Sequence, residues 1–243
     1  GLEEFGEFET ELEKGGEVVV GELYYRASLP NQTWIKVGKI PLPISLSNVQ
    51  ESYLLYPSVL TSSLEASMIA PEWREMGIEF QKRWDSDINV RLLATSGLNS
   101  ELFRKHNWVG GGYQTRFEDA NGENIAGTLV VEYGDVARDN GVAAALYYGE
   151  TKGNRYKRNK LDVSAAVTLA SVYGRWTFFE DLEVRGQMIQ GTLTNSDKVS
   201  QANNTLSAAL NPGAFSSLGH KAQMEMGEIS YRFLKDDDSS TKA

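Results

Sequence analysis

The 243-residue sequence predicts an all-β fold, and three observations lead to this prediction. Apolar and polar residues alternate with a period of two over many segments, which is the spacing of a strand with two unlike faces. β-Branched and aromatic residues are frequent at the repeating positions, as they are in strands. Many segments also exceed the about five or six residues usual in soluble sheets and approach the about nine to eleven that cross a bilayer at a tilt.

Composition excludes several classes of protein. The net charge of -9 argues against a nucleic-acid partner, because phosphate recognition needs a dominant surface of clustered Lys and Arg. The absence of cysteine excludes disulfides, thiolate zinc sites and cysteine nucleophiles. No apolar run is long enough for an ordinary transmembrane helix. A mean hydropathy of -0.38 fits either a soluble sheet or a barrel whose strands alternate lipid-facing and lumen-facing residues.

We predict ten antiparallel strands from the alternation and from the turn residues between the segments. They are 5–14, 17–27, 33–40, 72–84, 88–96, 124–133, 141–149, 164–178, 182–192 and 219–234.

The connections between these strands alternate between short and long. Short turns rich in Pro, Asp, Asn and Gly lie at 28–32, 84–87, 134–141 and 178–182. Long connections lie at 41–71, 97–123, 150–163 and 193–218. Bacterial outer-membrane barrels show this alternation because one rim carries turns and the other carries loops, whereas a soluble sandwich has no reason to sort its loops by rim.

Two architectures share the alternation of side chains along each strand. In 88–95, Ile88, Val90 and Leu92 oppose Asn89 and Arg91, so one face is apolar and the other is polar. In a membrane barrel the apolar face contacts lipid, and in a soluble sandwich it is buried against a second sheet.

Aromatic residues lie mostly near the predicted strand ends, where the headgroup girdles of a barrel would be. They are Tyr24, Tyr25, Trp34, Trp73, Trp84, Tyr133, Tyr147, Tyr148, Trp176, Phe178, Phe179, Tyr231 and Phe233.

No motif in the sequence indicates catalysis, a metal or a cofactor. His106 and His220 are far apart and lack the spacing of metal ligands. No nucleophile elbow is present, and the glycine run at 110–112 lacks the Lys-Ser/Thr of a phosphate loop. Glu75 and Glu79 share one strand face, which is the ordinary arrangement of solvated charges. We therefore expect a protein that is not an enzyme.

The long connection 41–71 is rich in apolar residues and has only Glu51 and Glu65 as charges. A connection of this size is usually functional, and this one is too apolar to stay in water. We expect it to fold into a barrel and constrict the lumen, or to cover one end of a soluble core. The segment 196–210 predicts a short helix in a later loop.

A resemblance to a known family rests on several stretches in order. "IKVGKIPLPISL" followed by "APEWREMGIEF" (35–80) resembles the strand, Pro-rich loop and strand of the phosphate-selective porins (O and P) of Gram-negative outer membranes. "VRLLATSGLNSELF…NWVGGGYQ" (90–114), "LVVEYGDVARDNGVAAALYYGET" (129–151) and "LEVRGQMIQGTLTNSDKV" (182–199) are similar to later hairpins. The similarity covers about 5–233.

The resemblance implies a sixteen-stranded transmembrane barrel, often a homotrimer, with an inward-folded loop in the pore. With about ten strands and a polar end, 1–243 is expected to be one incomplete barrel domain. Phosphate selectivity is not expected, because 41–72 contains no Lys or Arg. The expected partners are outer-membrane lipid, lipopolysaccharide on the basic run 150–160, and small hydrophilic solutes or ions.

We therefore expect a porin, a passive diffusion channel of the bacterial outer membrane, in which steric size and charge select ions or small solutes. The alternative is a soluble β-sandwich that binds carbohydrate or another ligand under the 41–71 connection. The expected pore-lining residues come from the loop and from the polar strand faces: Glu51, Glu65, Lys36, Glu75, Glu79, Arg83, Arg91, Glu132, Arg175 and Arg185.

Overall fold

A computed structural model describes most of the chain. The described residues are 5–12, 18–49, 63–113, 123–155, 161–179, 181–206 and 217–231, and for 5–12, 18–22 and 63–64 the description is of the backbone alone. All statements below concern these residues.

The fold is a ten-stranded antiparallel sheet in which the strands follow one another in chain order. The strands are β1 (Phe5–Leu12), β2 (Val18–Leu29), β3 (Thr33–Pro41), β4 (Arg74–Arg83), β5 (Ile88–Ser96), β6 (Ile125–Gly134), β7 (Gly141–Glu150), β8 (Ala166–Phe178), β9 (Leu182–Leu193) and β10 (Lys221–Tyr231). The all-β prediction and the ten predicted strands are confirmed. Within the described residues, β1 and β10 form the two edges of the sheet.

Three short helices lie in the long connections: α1 (Leu46–Val49), α2 (Ser63–Ala66) and α3 (Ser196–Asn204). The helix predicted over 196–210 is present, but it ends at Asn204 before the cap residue Thr205, and 207–210 lie outside the described residues. No helix in the described part of the chain has the length and apolar character needed to span a membrane.

The connections segregate to two rims of the sheet. We call the rim with the short connections 30–32, 84–87, 135–140 and 179–181 the turn rim. We call the rim with the long connections 42–73, 97–124, 151–165 and 194–220 the loop rim. Successive strands are antiparallel, so every second connection must lie at the same rim.

Several turns at the turn rim use left-handed backbone. Asn31, Asp87 and Gly134 have φ values of 60°, 59° and 81°. Asn, Asp and Gly adopt this conformation at the least cost, which explains their use in these tight turns. Gln32 and Phe179 are left-handed as well, at 53° each.

Side-chain burial distinguishes an inner face and an outer face of the sheet. Along β6 and β7 buried and exposed residues alternate at nearly every position. On β4, Glu75 and Glu79 are 1% exposed, whereas Ile78 and Phe80 are 53% and 42% exposed. The polar side of β4 is therefore the inner face, and its apolar side is the outer face.

The apolar core lies between the inner face and the long connections, toward the loop rim. Residues of the 42–73 connection pack there with side chains from the inner face of β7, β8 and β9. The core includes Leu42, Ile44, Leu46, Val49, Met68, Ile69, Trp73, Tyr147, Leu169, Tyr173 and Ile189. We call 42–49 and 65–70 together the inner segment.

Two of the aromatic residues expected near a headgroup girdle belong to this core. Trp73 is 1% exposed and Tyr147 is fully buried, with their ring centroids 5.0 Å apart. That expectation was wrong for both residues because they lie on the inner side. By contrast Trp84, Tyr133, Trp176, Phe178 and Tyr231 are exposed near the turn rim.

One testable prediction concerns Gly38, whose φ is 141° and which lies opposite Gly77 in the register. An added Cβ would lie 2.3 Å from the carbonyl oxygen of Leu23 and 2.7 Å from the Cα of Tyr24. We expect Gly38→Ala to lower the free energy of unfolding by about 1–3 kcal/mol, since both the backbone and the contact are strained.

Gly127→Ala is the matched control for Gly38→Ala, because a Cβ at Gly127 meets nothing within 4 Å. Denaturant titration of both variants measures the difference, and equal stabilities would contradict the role given to Gly38.

Candidate functional site

The inner face toward the turn rim carries a set of charged side chains from neighbouring strands. Each occupies an inner position of its strand, so the period-two alternation points all of them to one side. We call Glu79, Arg91, Glu132, Arg175, Glu183 and Arg185 the charged cluster. They belong to β4, β5, β6, β8 and β9.

Glu132 is the centre of one half of the cluster. Its Oε2 lies 3.2 Å from Nη2 of Arg91 and accepts a hydrogen bond of 2.9 Å from Nδ2 of Asn89. Its Oε1 accepts from the backbone N–H of Val136 at 2.9 Å. Gln81 in turn donates to Asn89 at 3.1 Å. The carboxylate is 5% exposed and has partners at both oxygens, so it is held in one orientation.

Glu183 bridges two arginines in the other half of the cluster. Arg175 and Arg185 lie directly opposite each other in the β8–β9 register, where their like charges repel. Oε2 of Glu183 accepts from Arg175 at 2.9 and 3.1 Å, and Oε1 accepts from Arg185. Arg175 also donates to the carbonyl of Ala137 at 3.3 Å. One carboxylate thus bridges two cations, and this half of the cluster keeps one excess positive charge.

Four buried polar atoms near the cluster have no hydrogen-bond partner among the described residues. They are Oε1 of Glu79, Nε of Arg91, Oγ1 of Thr95 and Oγ1 of Thr128. Glu79 and Thr128 both pair with Leu93 in the register, so they lie in one row across the inner face. Buried polar atoms are nearly always hydrogen-bonded to protein or water.

Five residues of the expected site fall into this cluster: Glu79, Arg91, Glu132, Arg175 and Arg185. Glu183 also belongs to the cluster but is not among the expected pore-lining residues, although it shares a strand face with Arg185. The missing information was the register, which sets Glu183 beside Arg175 on the neighbouring strand.

The other residues expected in the site lie elsewhere. Glu75 accepts from Trp73 Nε1 at 3.0 Å and from Ser96 at 2.7 Å, closer to the loop rim. Lys36 lies over the ring of Tyr24, with Nζ 4.7 Å from the centroid. Arg83 is at the turn rim, 3.3 Å from Asp87.

Two of the expected residues come from the 41–71 connection. Glu65 is 2% exposed and bonds to Ser45, Ser47 and Gln187. Glu51 lies outside the described residues.

The outer face has the opposite character and is apolar over β2 to β8. Its exposed side chains include Leu23, Tyr25, Leu29, Val37, Ile78, Phe80, Leu92, Leu129, Val131, Val142, Leu146 and Val172. On β9 and β10 the outer face is mixed, because Gln190, Gln223 and Glu225 are exposed there together with Met188, Ile229 and Tyr231. A water-soluble sheet places its apolar face inward and its charges outward, so this sheet has the reverse arrangement.

The long connections are joined by a buried polar cluster at the loop rim. Arg155 is 1% exposed and donates to Ser100 at 3.1 Å and to Asn203 at 2.9 Å. Burial lowers the pKa of Arg155, Glu101 opposes this shift, and the positive charge of Arg104 adds to it. Arginine stays protonated all the same.

The burial of Arg155 bears on the basic run 150–160, which we expected to meet lipopolysaccharide. Arg155 is not available at the surface, whereas Lys152 is exposed. Residues 156–160 lie outside the described residues.

The sequence matches no protein-family model, no curated protein and no solved structure. Within the described residues, no group of three or more His, Asp or Glu side chains could hold a metal ion. The contrast between the two faces of the sheet is therefore the main structural indication of function.

A second prediction concerns the ion pair of Glu132 and Arg91. We expect Glu132→Gln to lower the free energy of unfolding by about 2–3 kcal/mol, because Arg91 loses its partner while most of its side chain stays buried. This is below the roughly 3–5 kcal/mol of a fully buried pair, since the Arg91 side chain keeps 20% exposure.

Asp87→Asn provides the control, since the Arg83–Asp87 pair is exposed and its loss should cost less than about 1 kcal/mol. Asn also tolerates the left-handed backbone at this position. A smaller loss for Glu132→Gln than for Asp87→Asn, in the same denaturant titration, would show that the Arg91 pair contributes little.

Proposed function

We propose that this chain is part of an outer-membrane porin, a passive diffusion channel whose strands cross the bilayer with lipid outside and water inside. The observation that carries the proposal is the reversed polarity of the sheet. Ile78, Phe80 and Leu92 are 42–53% exposed on the outer face, while Glu79 and Glu132 are 1% and 4% exposed on the inner face.

Burial free energies favour this assignment over an aqueous one. Apolar surface costs about 25 cal/mol per Å² in water, and soluble monomers rarely expose contiguous apolar patches beyond a few hundred Å². The outer face of β2 to β8 carries large apolar side chains on seven neighbouring strands. Acyl chains would remove that cost.

The soluble sandwich receives less support. A sandwich buries its apolar face against a second sheet, but the ten described strands belong to one sheet. Ile78, Phe80 and Leu92, which a second sheet would cover, remain exposed.

A membrane sheet also needs its edges paired, because unpaired backbone groups are too costly in lipid. We therefore propose that β1 and β10 continue into a closed barrel, either with each other or with further strands. The family resemblance favours further strands, up to sixteen, and an assembly of three such barrels. The outer membrane would then be the location and its lipids the surrounding partner.

The proposed mechanism combines size and charge. The inner segment would narrow the passage toward the loop rim, and the charged cluster would line it toward the turn rim. Arg91 lies in the field of both Glu79 and Glu132, and Glu183 is shared by Arg175 and Arg185. The three carboxylates and three arginines of the cluster therefore balance, and its overall field is weak. The substrates would be small ions or hydrophilic solutes. The ion-paired arginines do not favour a phosphate-specific site.

A planar lipid bilayer tests the channel directly. The complete barrel protein that contains this chain, purified in detergent, is expected to give stepwise current increases, and a sustained failure to insert or conduct would contradict the proposal. In a salt gradient, Glu79→Gln should move the reversal potential toward the anion equilibrium potential, because a negative charge leaves the passage. Glu72→Gln is the control, since Glu72 pairs with Arg74 at 3.1 Å outside β4. Equal shifts of the reversal potential in both variants would show that Glu79 does not line the passage.

A substitution on the outer face tests whether this face contacts lipid or water. Leu92 is 51% exposed on β5. In a bilayer, Leu92→Arg is expected to cost about 2–4 kcal/mol near the midplane, whereas in water an exposed substitution changes stability by less than about 0.5 kcal/mol.

Ser86→Arg, in the turn 84–87, should be neutral in both environments and serves as the control for Leu92→Arg. Unfolding in lipid vesicles provides the measurement. A neutral Leu92→Arg there would indicate that this face does not contact acyl chains.

A further inference from the structure

The inner segment crosses from β3 and β4 to the opposite part of the sheet. Its first limb, 42–49, is held at its beginning by two hydrogen bonds from β8. Ser171 donates to the carbonyl of Ile44, and Tyr173 donates to the carbonyl of Pro43, both at 2.7 Å. This fixes the start of the limb on the far wall.

The two limbs of the segment are bonded to each other. Asn48 donates to the carbonyl of Ala70 at 3.3 Å and accepts from the backbone N–H of Trp73 at 2.7 Å. Leu42 N–H donates to the carbonyl of Trp73 at 2.9 Å. Beyond the anchored start at Pro43 and Ile44 the limbs therefore behave as one unit, so a contact that holds either limb there restrains both.

Glu65 joins the second limb to both the first limb and the wall. Its Oε1 accepts from the hydroxyls of Ser45 and Ser47, and its Oε2 accepts from Nε2 of Gln187 at 2.8 Å. These three donors are neutral, and Glu65 is 2% exposed. A carboxylate so enclosed does not face a passing solute, which differs from the pore-lining role that we expected for it.

Gln187, on the inner face of β9, contacts both limbs with its two amide atoms. Its Oε1 accepts from the backbone N–H of Leu46 at 3.0 Å, while its Nε2 donates to Glu65. The backbone donor at Leu46 fixes the orientation of the amide, because a flipped amide would place two N–H groups against each other. The amide N–H of Gln187 therefore has to meet an acceptor at position 65.

We propose that Glu65 and Gln187 form a latch that holds the inner segment across the passage, and that breaking it frees the segment and enlarges the passage. This inference rests on the proposed channel function. Glu65 is a positioning residue in this scheme and does not act as a selectivity group. The bonds to Ile44 and Pro43 stay in place, so the start of the first limb serves as the hinge.

Exchanging the two side chains tests the latch. Gln187→Glu sets two carboxylate oxygens 2.8 Å apart at the wild-type spacing. Glu65→Gln is milder, because its amide oxygen can still accept from Gln187 if its N–H2 group turns to the Ser45 and Ser47 hydroxyls, which then have to accept. The double variant Glu65→Gln/Gln187→Glu restores one donor and one acceptor, and the carboxylate introduced at position 187 can still accept from the N–H of Leu46. It also keeps the net charge of the wild type.

In single-channel recordings, Gln187→Glu is expected to raise the conductance about twofold or to add an open substate, Glu65→Gln to do so less, and the double variant to return to the wild-type value. Glu72→Gln, which lies outside the inner segment, should leave the conductance unchanged. Rescue in the double variant separates a positioning role from a change of charge.

Thiol labelling reports on the latch without any current. The native chain has no cysteine, so Val49→Cys introduces a single thiol, and Val49 is 8% exposed in the first limb. With the detergent-solubilised full chain, a water-soluble maleimide should react about tenfold faster when Gln187→Glu is added. The swapped pair should restore slow labelling.

Equal labelling rates and equal conductances in all latch variants would overturn the inference, provided the variants keep the wild-type circular dichroism spectrum. If a single variant loses that spectrum, the double variant Glu65→Gln/Gln187→Glu is the deciding test. A wild-type spectrum with slow labelling in the double variant supports the latch, and a double variant that regains neither the spectrum nor slow labelling overturns it. Fast labelling of Gln187→Glu in a protein that never conducts would contradict the channel function. It would still support the Glu65–Gln187 contact as the one that holds the inner segment in place.

Discussion

The structure depends on one constraint, the alternation of side chains along an extended chain. The backbone groups of the inner strands bond to their neighbours, so the side chains alone decide which environment each face of the sheet can occupy. In this chain the alternation assigns Glu79, Arg91 and Glu132 to one side and Ile78, Leu92 and Val131 to the other. The buried charges, the packing of the long connections and the apolar outer surface all follow from that assignment.

The inner face is packed by different kinds of contact at its two ends. Toward the loop rim, the connections contribute apolar residues that pack on the sheet, and the ring of Trp73 packs at a tilt against the ring of Tyr147. Toward the turn rim the short connections contribute little beyond the backbone groups of Val136 and Ala137, so the strand side chains pair mostly with one another. Glu183 between Arg175 and Arg185 is the clearest instance. Connection length therefore decides whether the interior is filled by apolar contacts or by ion pairs.

Much of the fold could be predicted from the sequence because its signals are local. A strand is indicated by a period of two over about ten residues. A turn is indicated by Asn, Asp and Gly, which occupy left-handed positions such as Asn31 and Asp87. The short helix α1 in the 42–73 connection was missed, since Leu46–Val49 is too short to show a helical period. The end of α3 at Asn204 was also missed because no glycine or proline marks it.

The site was harder to predict because it depends on register and on distant partners. Which inner carboxylate meets which arginine is fixed by strand pairing, and a single strand does not reveal it. Glu65 and Gln187 are 122 positions apart, so nothing near either residue indicates the other. The burial of Trp73 was missed for the same reason, because its environment is created by Tyr147, which comes later in the chain. Glu75 likewise meets Ser96, a partner that its own strand does not reveal.

The chain-order arrangement of the strands has a consequence for how such a molecule forms and diversifies. No described strand pairs beyond its immediate neighbours in the chain, so every hairpin can add to a growing ribbon without waiting for a remote segment. Closing short loops costs little entropy, and local topologies fold fastest. For the same reason a hairpin can be gained or lost as a unit. Such a change alters the number of strands in the sheet, while the remaining strand pairs keep their register.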